Sequence, residues 1–178
     1  MAAKKKRSFG DALNDQIANE FAASMQYIGI AVHYDGETLP RLAGVFYRQA
    51  LEERGHAMMM VRYLIDVGEP VNVPEVARQQ SKFDDDVEPV RLALSQEERV
   101  GQEIFKLFEL ARELKDYRAE QFMQWFVKEQ VEEVALMQDL LNVCERSKDN
   151  LLLVEDFIAR EAPGEDGDDD APPEAGGA

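Results

Sequence analysis

The chain has 178 residues, 45% of them hydrophobic and 31% charged, a length that suits one domain and a composition ordinary for a globular protein. Its net charge of −16 disfavours nucleic acid and anionic membrane as partners for the body of the chain, and it is compatible with binding cations. A single cysteine, Cys144, excludes an internal disulfide framework and fits a reducing, cytoplasmic location; two histidines, His33 and His56, exclude a His-rich metal site.

Residues 1–9 read as a flexible basic N-terminus. Lys4, Lys5, Lys6 and Arg7 lack the apolar run of a signal peptide behind them. Apolar residues then recur at helical spacing in four long segments. The first runs from about Asp11 to Val32, with Leu13, Ile17, Phe21 and Ile28 on one stripe. The second runs from about Leu39 to Val67 on Leu42, Phe46, Ala50, Ala57, Met60 and Leu64, and opens with Pro40, whose missing N–H costs nothing at a helix start. The third, Val87 to Leu114, uses Val90, Leu94, Ile104, Phe108 and Ala111; the fourth, Tyr117 to Arg146, uses Phe122, Phe126, Met137 and Leu141. A short fifth helix is predicted over Leu151–Ala162, before Pro163 stops it. The tail 163–178, rich in Gly, Pro, Asp and Ala, has too little to bury and is predicted to be disordered, leaving a folded domain at 10–162. No run is apolar enough to span a membrane.

The links set the topology. Asp35-Gly36 and Lys115-Asp116 are short, so each flanking pair should be an antiparallel hairpin. The link from Gly68 to Asp86 is long; extended at ~3.3 Å per residue it outreaches a helix rising ~1.5 Å per residue. It can therefore cross the whole bundle and start the third helix parallel to the second. The expected fold is all-α: a four-helix bundle with one long crossover and a short C-terminal helix.

Polar residues interrupt the apolar stripes. Glu20 lies between Ile17 and Phe21, Glu53 continues the row through Ala50 and Ala57, Glu97 falls between Leu94 and Ile104, and Gln130 and Glu133 fall between Phe126 and Met137. Each sits near the middle of its helix. Buried carboxylates must be protonated, paired or bound to metal, and no Lys or Arg clearly shares these rows. Glu53-Arg54-Gly55-His56 adds a Glu-x-x-His element, whose spacing puts both side chains on one face. Alone it is an ordinary surface pair; with the other acids aligned it predicts a cation, and imidazole among carboxylates suits iron, manganese or zinc. Tyr27, two turns after Glu20, reads as a core tyrosine bonded to a polar group. Trp125 and Met58–Met60 read as packing, and His33 is given no role. Gly55 inside a helix costs roughly 1 kcal/mol against alanine, for which close packing is the expected reason.

These residues resemble the non-haem bacterial ferritins over about 10–161. The matching stretches are Leu13–Phe21 (LNDQIANEF), Glu52–Ala57 (EERGHA), Gln96-Glu97 and Gln124–Glu133 (QWFVKEQVEE). The resemblance implies a ferroxidase that oxidises Fe(II) with dioxygen or peroxide at a di-iron centre inside each bundle, and stores ferric mineral in a cytoplasmic homo-oligomeric shell of about 24 subunits. It implies Glu20, Glu53 and His56 on the first iron, Glu53 bridging to the second with Glu97, and Gln130 beside the second iron and the dioxygen site. Tyr27 resembles the family's candidate electron donor. Glu52, Glu129, Glu132 and Glu133 match a third iron site. The haem-binding subfamily carries methionine where Arg54 stands, and a second Glu-x-x-His where Gln130-x-x-Glu133 stands, so no haem is expected. An alternative on the same bundle is a di-iron carboxylate oxygenase or peroxidase.

Overall fold

A computed structural model describes residues 7–161; the expectations for the extreme N-terminus and the acidic tail lie outside these residues. Five helices follow in order: α1 Phe9–Gly36, α2 Pro40–Val67, α3 Glu88–Leu114, α4 Tyr117–Arg146 and α5 Leu152–Glu161. Ser8 opens α1 through a capping box, accepting from the Asp11 N–H while Asp11 accepts from the Ser8 N–H. The first hairpin turns later than the sequence suggests. Gly36 is still helical, and Thr38, at φ 63°, takes the left-handed conformation instead. Lys115 (φ 57°) and the Asp116 cap make the second turn where expected. Gly68 closes α2 at φ 78°, a conformation glycine adopts without strain.

The crossover is fastened to α1 along its length. Asn14 donates to the Pro70 carbonyl and accepts from the Asn72 N–H. Gln26 makes the same two-way clamp on the backbone of Gln80, at 2.8 and 3.0 Å. Tyr34 donates to the Asp86 carbonyl. The loop thus runs from the start of α1 to its end, so α3 starts beside the C-terminus of α1 and runs parallel to α2. Helix α5 returns to the start of α2, where the Glu155 carboxylate accepts from the Arg41 and Leu42 N–H groups. Leu39, the residue before α2, has no side chain that can cap it, and Glu155 supplies the missing acceptor.

The stripe expected on α1 is partly displaced. Leu13 and Ile17 are buried, but Phe21 is half-buried and Ile28 exposed. The buried face beyond Glu20 follows Ala23, Tyr27, Ile30, Ala31 and Tyr34, because α1 packs against both α2 and α3. The core falls into two apolar clusters. One holds Tyr27, Tyr34, Leu42, Phe46, Leu94, Met137 and Leu141; the other holds Leu13, Ile17, Met60, Leu64, Ile104, Met123 and Phe126. Every long helix passes from one cluster to the other, and on each the change occurs around a polar residue: Glu20, Glu53 with His56, Glu97, and Gln130 with Glu133. No helix of the described residues is long and apolar enough to cross a membrane.

Candidate metal centre

The bundle brings Glu20, Glu53, His56, Glu97, Gln130 and Glu133 into one layer, and all six are buried. Three sets of side chains have ligand atoms within 4.8 Å of one another: Glu20–Glu53–His56, Glu53–Glu97–Glu133, and His56–Glu129–Glu133. Glu53 joins the first two sets and Glu133 the last two. His56 Nδ1 lies 3.5 Å from Glu53 and 3.8 Å from Glu133. Its ring is held edge-on by Trp125 and Phe126, at centroid distances of 5.5 and 5.7 Å.

The carboxylates differ in how they are held. Gln16, one turn before Glu20, donates to Glu20 Oε1 at 2.7 Å, and Asn19 donates to Gln16. Glu97 is gripped on both oxygens: Tyr27 donates its hydroxyl to Oε1, and Gln130 Nε2 donates to Oε2 at 3.0 Å and to the Glu97 carbonyl at 3.0 Å. By contrast Glu20 Oε2, both oxygens of Glu53 and Glu133 Oε1 are buried without a hydrogen-bond partner. Among the described residues no Lys or Arg pairs with any of these four acids.

Burial pushes Glu53 well above the usual carboxylate range, and the neighbouring Glu20, Glu133 and Glu97 push it further. Glu133 is raised well above it too, first by burial and then by Glu97, Glu20, Glu129 and Glu52. Burial also raises Glu97, but the hydrogen bonds from Tyr27 and Gln130 work against it. Such a cluster either keeps protons or exchanges them for a cation. Unpartnered oxygens from three helices, the oriented Glu97 carboxylate of the fourth and one imidazole form a donor set that fits iron.

The other acids singled out from sequence lie at the margin. Glu129 is half-buried and joins His56 and Glu133. Glu52 is exposed and accepts from Gln49. Glu132 is exposed, 3.9 Å from Lys128, and joins none of the three sets. Gly55 is exposed, and a Cβ there would meet nothing within 4 Å, so close packing within the chain does not explain it. His33 packs against Tyr34 and Phe83, 3.5 Å from Asp86 and outside the three sets. The sequence reading missed Gln16, although its position four residues before Glu20 on one helix face was a usable signal.

The Ferritin-like domain family model matches residues 10–147. A relative named Ferritin BfrB from Mycolicibacterium smegmatis is 49% identical over 170 residues, covering 96% of this chain and 94% of that protein. The Bacterial non-heme ferritin of Staphylococcus aureus is 35% identical over 140 residues, covering 79% of this chain and 84% of its own. Among solved structures, the open-pore ferritin of Archaeoglobus fulgidus superposes with a TM-score of 0.82 at 27% identity, covering 88% of this chain and 98% of that one. A bundle with one crossover, an inward acid on each of its four long helices and relatives matching 79–96% of its length place this chain in the ferritin family, among the bacterial ferritins.

Proposed function

We propose that this ferritin oxidises Fe(II) at its central carboxylate layer and stores the ferric product inside a shell of identical subunits. The observation that carries the reading is the set of unpartnered buried oxygens on Glu20, Glu53 and Glu133, gathered with Glu97 and His56 and with no other basic residue paired to them. The names of the relatives favour iron storage over oxygenation of an organic substrate. Met25, Ile28 and Val32 on α1 and Tyr47 and Leu51 on α2 are exposed apolar residues, a surface suited to contact with a second copy. By the family resemblance, the proposed assembly is a shell of about 24 subunits.

Fe(II) is the substrate. Glu20, Glu53 and His56 would take one ion, and Glu53, Glu97 and Glu133 the other, with Gln130 alongside. Each ion gives one electron to dioxygen, which with two protons becomes hydrogen peroxide; with peroxide as oxidant the same two electrons and two protons give two waters. Oxygen-rich ligands favour the harder Fe(III), which helps drive the oxidation. Binding Fe(II) displaces the protons that burial favours on Glu53 and Glu133. Tyr27 holds Glu97 and, by the family resemblance, is a candidate electron donor. Glu52, Glu129, Glu132 and Glu133 match the family's third iron site, and Glu129 and Glu133 group with His56. Arg54, standing where haem-binding relatives carry methionine, supports a centre without haem.

The test is aerobic loading with excess Fe(II), followed by size exclusion with iron detection, on wild type and Glu53→Ala/His56→Ala. Rapid oxidation with iron co-eluting in a very large wild-type particle, and slow oxidation by the variant, is the expected result. About two irons per chain on a small species would reject storage in favour of a di-iron oxygenase or peroxidase.

A further inference from the structure

Gly101 is buried in the interior of α3, one helical turn beyond Glu97. It does not have a positive φ, so its backbone does not call for glycine. Glycine is disfavoured against alanine inside a helix, so something else must favour its presence. The surroundings supply it. A Cβ at this position would stand 2.8 Å from Cγ of Gln130, 3.5 Å from Cδ and 3.8 Å from Nε2. Carbon atoms pack at about 3.5–4.0 Å. The collision falls on Cγ, at the root of the side chain, so Gln130 cannot yield by swinging its tip. Its first torsion would have to leave its well, and that carries the amide away from α3.

The amide is what fastens Glu97. Gln130 Nε2 donates at once to the Glu97 carbonyl and to Glu97 Oε2, while Tyr27 occupies Oε1. With one donor on each oxygen, the carboxylate cannot rotate, and each oxygen keeps a lone pair for a cation. We propose that Gly101 is a positioning residue for the second metal position. Its missing side chain lets Gln130 lie flat on α3 and hold Glu97 turned toward Glu53 and Glu133. Gly101 has no comparable relation to Glu20, Glu53 and His56, so the first position should not depend on it. The inference rests on the two-metal reading above and refines it.

The experiment is anaerobic titration of the assembled, iron-free protein with Co(II), read by visible absorption and calorimetry. The proteins are wild type, Gly101→Ala, Gln130→Ala and the double variant. Wild type should take two equivalents per chain. Gly101→Ala should keep one at wild-type affinity and bind the other about 10-fold more weakly, the size of effect expected when a group orienting a ligand is lost. In the Gln130→Ala background the same glycine change should leave Co(II) affinity untouched and raise resistance to denaturant, because the collision is gone and only helix propensity remains. The inference is overturned if Gly101→Ala binds both equivalents like wild type, or weakens both equally. A wild type that takes up no Co(II) overturns the two-metal reading and this inference together. Should Gly101→Ala fail to assemble, assembly of the double variant would still support the collision, and its failure would refute it.

Discussion

The two sides of the central layer are built differently. On the α1–α2 side, Glu20 has one oxygen on Gln16 and the other free, and Glu53 has neither oxygen engaged. On the α3–α4 side, Glu97 is fixed through both oxygens by Tyr27 and Gln130, while Glu133 keeps one buried oxygen unpartnered. The first side therefore holds only carboxylates whose polar demand a proton or a cation must meet. The second pairs one such carboxylate, Glu133, with one already oriented by the protein, Glu97. Buried, unpartnered carboxylates cost stability in the metal-free chain, whereas a carboxylate with two donors is largely satisfied. The contrast teaches that unmet polar demand runs through the whole layer, whereas fixed orientation is confined to Glu97.

The variant with the largest expected effect removes the residue common to both sides. Glu53→Ala should lower the rate of Fe(II) oxidation by at least about 100-fold, more than the 10–100-fold seen on losing an outer partner of a ligand. Glu20→Ala should abolish only one of two anaerobic metal equivalents. Stopped-flow absorbance and calorimetry check the pair; equal loss from both variants would break the division into two positions.

The next test is the pH dependence of stability. The ordinary carboxylate value for Glu53 is 4.5, and the folded value lies well above it. The unfolded chain therefore releases this proton first as pH rises. The stability that Glu53 lends is fully present below about pH 4.5 and is lost as pH climbs toward its folded value. Glu53→Gln should accordingly change little near pH 4 and stabilise the metal-free protein by about 2 kcal/mol near pH 7. Guanidinium denaturation after chelation measures this, and adding Zn(II) should reverse the order. A gain independent of pH would mean that Glu53 is already partnered.

Tyr27→Phe probes the fixed orientation. Freeing Glu97 Oε1 should weaken the second metal equivalent about 10-fold and leave the first unchanged, as read by competition calorimetry. The smallest effect lies away from the layer. Glu155→Ala removes the acceptor at the start of α2 and should cost about 1 kcal/mol, with metal stoichiometry unaltered. A change in metal binding there would show that the end of the bundle and its centre are coupled.

Much of this arrangement was readable from the chain. The acids that break each apolar row, and the Glu-x-x-His step, are local facts of helical spacing. Those rows did become buried where Ala50, Ala57, Leu94 and Met137 flank them. The reading failed where a helix has more than one buried face. Ile28 fits a stripe with Phe21 by spacing, yet α1 turns Tyr27, Ile30 and Tyr34 inward because α2 and α3 both pack on it. It failed also at Gly36, where the expected turn is one more turn of helix and Thr38 bends the chain instead.

The sequence by itself determined the helices, their order, the need for a crossover, and which acids face inward, because hydrophobic periodicity fixes the face of each helix. Only the tertiary structure decided who meets whom across the bundle. It set Tyr27 and Gln130 on the same carboxylate, Gln26 on the crossover backbone, Glu155 on the start of α2, and empty space at Gly101 for Gln130. Those contacts join residues 29 (Gly101 and Gln130) to 114 (Arg41 and Glu155) positions apart, and spacing along one helix carries no information about its partner's register.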